Sequence, residues 1–326
     1  MTMADAIVLR AHGGPETLGY EEVEVGDPGP GEIGLRQTAI GVNYHDVYVR
    51  SGLYQTLALP GIPGIEAVGA VTAVGPDVEG FAVGDRIGYI TNQYGAYASE
   101  RILPAHLAVT LPEAIDDALA ATVLLKGLTA EMLARRVHRI EPGTTVLVHA
   151  AAGGVGRLLC QWAVALGATV IGTAGTPEKR DIALAAGCEG VILYREVDFV
   201  AEVRRMTEGR GVEVVYDGVG GDTFYGSLDT LATFGHLVNF GQSSGPVEPL
   251  AMPRLATASA SVTRPMIFHY TADTARLREM ARNLFDAFAE GVLTAEPGQA
   301  FPLAAAGEAH ALLESRSATG PLVLIP

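Results

Sequence analysis

The stretch Val146-Leu-Val-His-Ala-Ala-Ala-Gly-Gly-Val-Gly156 joins an apolar run to an amphipathic helix pattern through a turn of small residues. In such strand–turn–helix units a nucleotide pyrophosphate lies against the N–H groups at the start of the helix. In the usual G-x-G-x-x-G order, Ala151 takes the first place, and Gly153 and Gly156 take the second and third. The stretch therefore predicts a dinucleotide-binding unit, although a glycine-rich turn used only for packing is the alternative. The residues predicted to lie beside the cofactor here are Gly153, Gly154 and Val155.

After this stretch, apolar runs of strand length alternate with periodic segments of helix length. The predicted strands are Thr145–His149, Thr169–Gly172, Gly190–Leu193, Val212–Tyr216, His236–Phe240 and Ser261–Ile267. The predicted helices between them are Arg180–Ala186, Asp198–Thr207 and Thr223–Leu231. This alternation is typical of a doubly wound parallel sheet, so we predict an α/β fold with a Rossmann domain.

The chain before this region consists of short β-like runs separated by Gly and Pro, and their spacing predicts a barrel or a sandwich. These runs are Ala6–Leu9, Tyr20–Val25, Ile33–Ile40, Ala67–Val74 and Arg86–Tyr89. A long helix is predicted near Ala118–Arg136. The C-terminal part is expected to return to the first domain. Its predicted elements are the helices Asp273–Glu290 and Ala304–Leu313 and the strand Leu322–Ile325.

Composition limits the classes of function. A chain of 326 residues, 48% of them hydrophobic, exceeds what one core usually organises and indicates two domains. Its formal net charge of −15 does not favour binding to nucleic acid or to an anionic membrane. The sequence has neither a signal-peptide pattern nor the ~20 consecutive apolar residues of a transmembrane helix, so we expect a cytoplasmic protein. The 2 cysteines are too few for a disulfide framework or a four-thiolate zinc site.

The strand end that follows the glycine-rich turn indicates which dinucleotide binds. An NAD-specific protein presents Asp or Glu there to the ribose hydroxyls, and Thr169-Val-Ile-Gly-Thr-Ala174 ends without one. Hydroxyls and cations that follow instead suit the 2′-phosphate of NADPH, although Lys179 in a solvated first helical turn is the alternative. The residues predicted to bind this phosphate region are Thr173, Gly175, Thr176 and Lys179.

Several segments spread over nearly the whole chain carry a resemblance to a known family. They are Gly41-Val-Asn-Tyr-His-Asp-Val-Tyr-Val-Arg-Ser-Gly-Leu-Tyr54, Pro63-Gly-Ile-Glu-Ala-Val-Gly69, Leu125-Lys-Gly-Leu-Thr129, Ala150-Ala-Ala-Gly-Gly-Val-Gly156, Val215-Tyr-Asp217, Asn239-Phe-Gly-Gln-Ser-Ser244 and Val262-Thr-Arg-Pro265. With these segments the sequence resembles the NADPH:quinone oxidoreductases (zeta-crystallin-like) of the medium-chain dehydrogenase/reductase superfamily. The resemblance implies a GroES-like β-barrel catalytic domain over residues 1–115 and 268–326. It also implies a Rossmann NADPH-binding domain over 116–267, with the active site in the cleft between the two.

Zinc-dependent relatives hold a catalytic metal on a Cys, a His and a later Cys. In this sequence Asn43 stands where the first ligand would be and Ile65 where the histidine would be, so we predict no metal. A site without a Lewis acid favours acceptors that are already electron-poor, such as quinones or conjugated carbonyls.

The resemblance also implies the residues of the active site. The residues implied to line the cleft near the nicotinamide are Asn43, Asp46, Tyr48, Arg50 and Tyr54, with Lys126 and Thr129 on the long helix. Asp46 and Arg50 could instead simply pair with each other. His45 departs from the family, and a titratable imidazole there could deliver the proton that follows hydride transfer, or could be a histidine satisfied by the backbone.

Further contacts to the cofactor follow from the same resemblance. Tyr194 and Arg316 are implied at the adenosine end, although Tyr194 could equally be an edge-strand aromatic. Phe240, Gly241 and Ser243 are implied at the nicotinamide side, where a glycine permits close backbone approach.

These observations predict a zinc-free enzyme that transfers hydride from NADPH to a quinone. The alternatives are an NADPH-dependent enal, enone or enoyl-thioester reductase, and a non-catalytic NADPH-binding protein. A homodimer is also predicted, joined along the last Rossmann strand near Ser259–Phe268, because Ala258-Ser-Ala-Ser-Val-Thr263 carries no charge that would block edge pairing.

Overall fold

A computed structural model describes residues 2–315, 317–318 and 320–326 of the chain. It divides into two compact units. The first unit takes Met1–Leu125, Thr271–Ala281 and Ala295–Pro326, and the second takes Lys126–Tyr270 and Arg282–Thr294. The functional boundaries predicted at 115/116 and 267/268 stay a prediction.

The secondary structure of the described residues combines strands and helices throughout. The strands are β1 (Thr2–Leu9), β2 (Leu18–Val25), β3 (Glu32–Val42), β4 (Glu66–Val74), β5 (Arg86–Ile90), β6 (Glu100–Pro104), β7 (Ala108–Thr110), β8 (Thr145–Val148), β9 (Thr169–Ala174), β10 (Gly190–Leu193), β11 (Val212–Asp217), β12 (Leu231–Asn239), β13 (Ser261–Thr263), β14 (Gln299–Pro302) and β15 (Leu322–Ile325). The helices are α1 (Tyr44–Ser51), α2 (Asp117–Met132), α3 (Gly154–Ala165), α4 (Pro177–Ala185), α5 (Phe199–Met206), α6 (Phe224–Thr230), α7 (Pro253–Ala256), α8 (Ile267–Thr271), α9 (Thr274–Ala289) and α10 (Ala306–Glu314). None of the helices in this part of the chain has both the length and the apolar character needed to cross a lipid bilayer.

The first unit is built mainly from antiparallel strands. One sheet runs in the order β14-β15-β3-β4-β5-β7, with β6 also paired to β3, and β1 pairs with β2 separately. The C-terminal strand β15 pairs antiparallel with β3, so the end of the chain does return to the first domain as predicted. Buried side chains such as Ile33, Ile40, Ile87 and Leu324 form the core of this unit. Most residues of β3 and of the first half of β4 are buried, so these two strands lie at the centre of this unit.

The second unit holds a parallel sheet in the order β10-β9-β8-β11-β12-β13. The order reverses between β8 and β11, which are parallel neighbours. In open α/β sheets ligands bind beyond the carboxyl ends of the strands at such a reversal. Its core contains Leu147, Ile171, Val215 and Leu237 from four neighbouring strands. The predicted doubly wound Rossmann sheet is therefore confirmed, and its reversal point lies beside the glycine-rich stretch.

The structure differs from the predicted elements in several places, since β6, β7, β14 and α7 were not predicted. Helix α1 (Tyr44–Ser51) was not predicted, although Asn43 before it and Gly52 after it, with φ 83°, are typical capping residues. The strand predicted over Ser261–Ile267 ends at Thr263 because Pro265 has no N–H to donate, and Ile267 instead begins α8. The predicted long helix is regular to Met132 and then continues as a π-helical turn over Leu133–Val137.

Candidate active site

The glycine-rich stretch forms the turn between β8 and α3, as its pattern predicts. Gly153 precedes the first helical residue, and the first turn of α3 carries no side-chain cap, so its N–H groups lie open at the helix start. Gly156 lies so close to the turn that an added Cβ would stand 2.3 Å from the carbonyl oxygen of Ala150. Only glycine allows this approach, and the arrangement suits a pyrophosphate at the helix N-terminus.

Thr173, at the end of β9, supports this turn from behind. Its carbonyl oxygen accepts a hydrogen bond of 3.0 Å from the N–H of Ala151. Its hydroxyl accepts one of 3.3 Å from the N–H of Ala150 and lies 3.0 Å from Nδ1 of His149. The side chain of Thr173 is buried, so its hydroxyl holds the turn in place.

The residues after β9 form a short loop that leads into α4 in the second unit. Thr176 precedes α4, and its hydroxyl accepts a hydrogen bond of 3.3 Å from the N–H of Lys179. A Cβ on Gly175 would stand 2.8 Å from the hydroxyl of Tyr194, so the glycine allows that phenol to lie close against the loop. The hydroxyls of Thr176 and Tyr194 and the side chain of Lys179 thus lie near the start of α4, and groups of this kind suit a phosphate. Arg180, in contrast, pairs with its neighbour Asp181 at 3.1 Å.

Lys126 and Thr129 lie on α2, the helix on which they were predicted. The aliphatic part of the Lys126 side chain covers Gly154, because a Cβ on that glycine would stand 2.8 Å from Cδ of the lysine. Lys126 therefore lies at the start of α3, beside the glycine-rich turn.

The segment after β12 is held tightly in the second unit. Gly241 follows Phe240, and a Cβ on Gly241 would stand 2.5 Å from the carbonyl oxygen of Gly218. The carbonyl oxygen of Gly241 accepts hydrogen bonds of 3.0 Å from Nδ2 of Asn239 and 2.9 Å from Nη1 of Arg264. The N–H of Ser243 donates to Gly218 at 3.3 Å. Arg264 was not predicted as a site residue, although the quoted Val262-Thr-Arg-Pro265 segment contains it.

In the first unit, Asn43 lies at the junction of β3 and α1. Its backbone N–H donates to Oδ2 of Asp46 at 2.9 Å, the acidic half of a capping box. Its side-chain nitrogen donates to Oε1 of Glu66 at 2.8 Å. The other oxygen of Glu66, Oε2, accepts a hydrogen bond of 2.9 Å from the N–H of Leu125. Asn43 is thus held by one hydrogen bond from its backbone N–H and one from its side-chain nitrogen.

Glu66 was not predicted as a site residue. It is fully buried at the start of β4, between Ile65 and Ala67. The sequence did contain a signal for such a role, namely a charged residue inside an apolar strand pattern. A carboxylate buried there needs hydrogen-bond donors around it.

Asp46 and Arg50 do not pair with each other. The Asp46 carboxylate accepts a hydrogen bond of 3.2 Å from the hydroxyl of Tyr97, which also lies 2.9 Å from Nε2 of His310. Arg50 forms a bidentate ion pair with Glu314, both nitrogen–oxygen distances being 2.8 Å. The Arg50 side chain is only 2% exposed. Both residues therefore lie on α1 and tie this helix to residues that are distant in the sequence.

The outer side of α1 carries a cluster of rings. His45 lies 5.4 Å from Tyr54 and 5.9 Å from Tyr94, centroid to centroid, and Tyr48 lies 5.1 Å from Tyr54. His45, Tyr48 and Tyr54 are partly exposed, whereas Tyr94 is buried. Burial lowers the pKa of His45 to about 4, so its imidazole is neutral at pH 7. Tyr94 was not predicted as part of this cluster.

Arg316 lies outside the described residues. Among residues 2–315, 317–318 and 320–326, no group of three or more His, Cys, Asp or Glu side chains is arranged to hold a metal ion.

Comparison with known proteins gives matches over the whole chain. A family described as "Alcohol dehydrogenase GroES-like domain" matches residues 29–113, and one described as "Zinc-binding dehydrogenase" matches residues 154–286. The quinone oxidoreductase of Pseudomonas aeruginosa is 44% identical over 325 residues, covering 99% of this chain and 100% of the relative. The 2-haloacrylate reductase of a Burkholderia species is 41% identical and covers 99% of both chains. The crystal structure of the Escherichia coli quinone oxidoreductase complexed with NADPH superposes with a TM-score of 0.96 at 44% identity, covering 99% of this chain and 100% of that one.

Proposed function

The chain belongs to the quinone oxidoreductase family of the medium-chain dehydrogenase/reductase superfamily, and we propose that it is an NADPH-dependent enzyme that reduces quinones. The observation that carries this proposal is the full-length likeness to a quinone oxidoreductase whose structure was solved with NADPH. The family likeness indicates the scaffold, and the side chains of this chain indicate which cofactor and which acceptor bind.

The second unit fits NADPH. The open start of α3 and the close approach at Gly156 leave room for a pyrophosphate against backbone N–H groups. The hydroxyls of Thr176 and Tyr194, near the start of α4, would contact the 2′-phosphate, with Lys179 as its cation. Thr173 was predicted from the sequence to bind this phosphate. We propose that it acts indirectly, by supporting the glycine-rich turn. Phe240, Gly241 and Ser243 would then bound the nicotinamide end.

NADPH supplies the hydride in such an enzyme. The chain's own contribution is binding, orientation and the exclusion of water. Asn43 is proposed to present a fixed polar surface, since its amide nitrogen is bonded to Glu66. Tyr48, Tyr54 and His45 provide an aromatic surface suited to a flat ring such as a quinone. Asp46 and Arg50 are proposed to position α1, Asp46 through the buried Tyr97 and Arg50 through its ion pair with Glu314.

We propose that no zinc takes part. The side chain of Asn43 is engaged with a carboxylate, and the isobutyl side chain of Ile65 offers no donor atom. Without a Lewis acid, the acceptor must be electron-poor by itself, as quinones are.

A conjugated acid or carbonyl compound is the second candidate acceptor. The 41% identity to a 2-haloacrylate reductase favours it, because haloacrylates carry an activated double bond. The same aromatic surface and the same cofactor would serve both reactions.

A turnover panel with NADPH separates these proposals. We expect oxidation of NADPH with 1,4-benzoquinone and naphthoquinones at a higher kcat/KM than with 2-haloacrylate, 2-enals or a crotonyl thioester. A reversed order would overturn the quinone assignment. Tight NADPH binding without turnover on any member of the panel would instead indicate a non-catalytic binding protein.

We further propose a homodimer joined through β13. This strand ends the six-stranded sheet in the described structure, and its residues Ser261, Val262 and Thr263 carry no charge. Light scattering at micromolar concentration should give twice the mass of one chain, and a monomer would reject the proposal. The cytoplasmic location stays a prediction from the sequence.

A further inference from the structure

Three polar side chains in the first unit form a continuous hydrogen-bond chain that ends at His45. Nε2 of His45 lies 3.3 Å from the hydroxyl of Tyr94. The same hydroxyl is hydrogen-bonded to Oγ1 of Thr56. Thr56 is exposed, Tyr94 is buried, and His45 is only partly exposed. The chain therefore leads from the solvent-facing surface, through a buried phenol, to the imidazole in the aromatic cluster.

Tyr94 is held in this position by its surroundings. Its φ of 60° is in the left-handed region, which a tyrosine adopts only where surrounding contacts hold the backbone there. The carbonyl oxygen of Tyr94 accepts a hydrogen bond of 2.8 Å from Arg101, and the N–H of Gly95 donates to Ile62 at 2.9 Å. These contacts fix the loop so that the phenol reaches both Thr56 and His45.

We propose that Thr56, Tyr94 and His45 form a proton inlet that carries a proton from solvent to the acceptor after hydride transfer. The proposal rests on the proposed quinone reduction. Each hydroxyl in the chain can donate one hydrogen bond and accept another, and an imidazole can accept at one nitrogen while it donates from the other. Protons can therefore pass along the chain without any of the three side chains remaining ionised.

The proton balance of the step is complete. Hydride from NADPH converts the quinone to a hydroquinone anion and leaves NADP⁺. His45 gives the proton on Nδ1 to the anion while Nε2 takes the proton of the Tyr94 hydroxyl. Tyr94 regains a proton from Thr56, and Thr56 regains one from water, whose hydroxide is neutralised by a proton of the bulk solvent. His45 then returns to its Nδ1–H tautomer by exchange with solvent before the next turnover. The sum is NADPH, quinone and one proton giving NADP⁺ and hydroquinone.

The protonation state of His45 explains why an inlet is required. Because burial lowers its pKa to about 4, only about one imidazole in a thousand is protonated at pH 7. A neutral imidazole that gave up its proton without replacement would become an imidazolate, which is far too costly in a buried place. Tyr94 and Thr56 are therefore positioning residues that keep His45 supplied.

The test compares Tyr94→Phe and Thr56→Val with wild-type enzyme and with Thr56→Ser, which keeps a hydroxyl. Tyr225→Phe is the matched control, because that phenol bonds only to the backbone carbonyls of Glu248 and Pro249 among the described contacts. We expect kcat to fall by about 10- to 100-fold in Tyr94→Phe and Thr56→Val, with KM unchanged, because general acid catalysis contributes factors of this order. The solvent deuterium isotope effect on kcat should rise in both, since proton delivery becomes rate-limiting. Thr56→Ser and Tyr225→Phe should behave as wild type.

Single-turnover measurements and nitrogen NMR complete the test. The first-turnover loss of NADPH absorbance should be unchanged in both variants, because hydride transfer precedes the proton. Long-range ¹⁵N spectra of the resting protein should show His45 mainly as the Nδ1–H tautomer in wild type and a shifted tautomer ratio in Tyr94→Phe. Wild-type kcat and isotope effects in Tyr94→Phe, or in Thr56→Val, would overturn the inlet. Failure of wild-type enzyme to oxidise NADPH with any quinone would instead overturn the proposed function.

Discussion

The side-chain nitrogen of Asn43 donates a hydrogen bond of 2.8 Å to Oε1 of the buried Glu66. This contact joins the start of α1 to the start of β4, and Oε2 of Glu66 accepts a second hydrogen bond of 2.9 Å from the N–H of Leu125. One buried carboxylate thus fixes the position where zinc-dependent relatives place a metal ligand.

The first prediction follows from this contact. Glu66→Gln replaces a charged acceptor by an amide that can accept only through one atom, so one of the two hydrogen bonds is lost. We expect the free energy of unfolding to fall by about 1.5–3 kcal/mol, the usual worth of a hydrogen bond to a charged group. Denaturant titration measures this change, and Glu189→Gln on the exposed surface is the control. Equal stability of the two variants would contradict the role given to Glu66.

The second prediction concerns metal. Because Asn43 is committed to Glu66 and Ile65 has no donor atom, we expect NADPH-dependent activity to be unchanged after treatment with EDTA or 1,10-phenanthroline. Metal analysis of the purified protein should find far less than one zinc per chain. Zinc at one equivalent, lost together with activity on chelation, would refute the zinc-free mechanism.

The third prediction concerns the choice of cofactor. Lys179→Ala should weaken NADPH binding by roughly 10- to 100-fold, because one charged hydrogen bond contributes about 1.5–3 kcal/mol. NADH binding should barely change. Arg180→Ala is the matched control, since that guanidinium pairs with Asp181 at 3.1 Å and should affect NADPH much less. Titration of intrinsic fluorescence gives both dissociation constants. If Lys179→Ala weakens NADH and NADPH equally, the lysine does not read the phosphate.

The fourth prediction concerns the ion pair between Arg50 of α1 and Glu314 of α10. Glu314→Ala leaves the guanidinium of Arg50, only 2% exposed, without its bidentate partner. Glu314 itself is 36% exposed, so water screens part of the loss, and we expect the free energy of unfolding to fall by about 1.5–3 kcal/mol. The control is Glu21→Ala, whose partner Arg10 is 65% exposed, and its effect should be much smaller because water screens that pair. A similar loss in both variants would show that burial of Arg50 is unimportant.

The fifth prediction is a dependence of stability on pH. Burial, with a smaller effect from the charge of Arg50, lowers the pKa of His310 to about 3, from an ordinary value of 6.5. The unfolded chain therefore binds a proton at this histidine below pH 6.5, whereas the folded chain binds it only near pH 3. The stability linked to the neutral His310 is therefore fully present above pH 6.5 and decreases as the pH falls towards 3. His45, with a pKa of about 4, adds to the same trend.

His310→Gln removes one of these groups. The slope of unfolding free energy between pH 6 and pH 4 should become shallower by up to about 1.4 kcal/mol per pH unit. Denaturant titrations at several pH values measure this slope. An unchanged slope would mean that His310 is protonated in the folded protein.

Much of the fold and part of the site could be read from the sequence. The glycine-rich turn, the alternating strands and helices and the return of the C-terminus to the first domain follow from local periodicity and from the backbone freedom of glycine. The positions of Gly153, Gly156, Gly175 and Lys179 at helix starts follow in the same way, because a helix start is a local feature. Helix α1 was missed although Asn43 and Gly52 carried its capping signals.

The partners of polar side chains were decided only by tertiary structure. Asp46 and Arg50 lie four residues apart on one helix, yet their partners Tyr97 and Glu314 lie 51 and 264 residues away in the chain. The hydroxyl of Thr173 bonds to the turn. Tyr94 and Thr56 likewise join His45 through pairings that no local pattern contains. The sequence by itself determined where the backbone turns and which strands are apolar, because those depend on neighbouring residues. Which buried polar atoms satisfy one another depends on long-range packing, and that packing decided which of the predicted site residues belong to the scaffold.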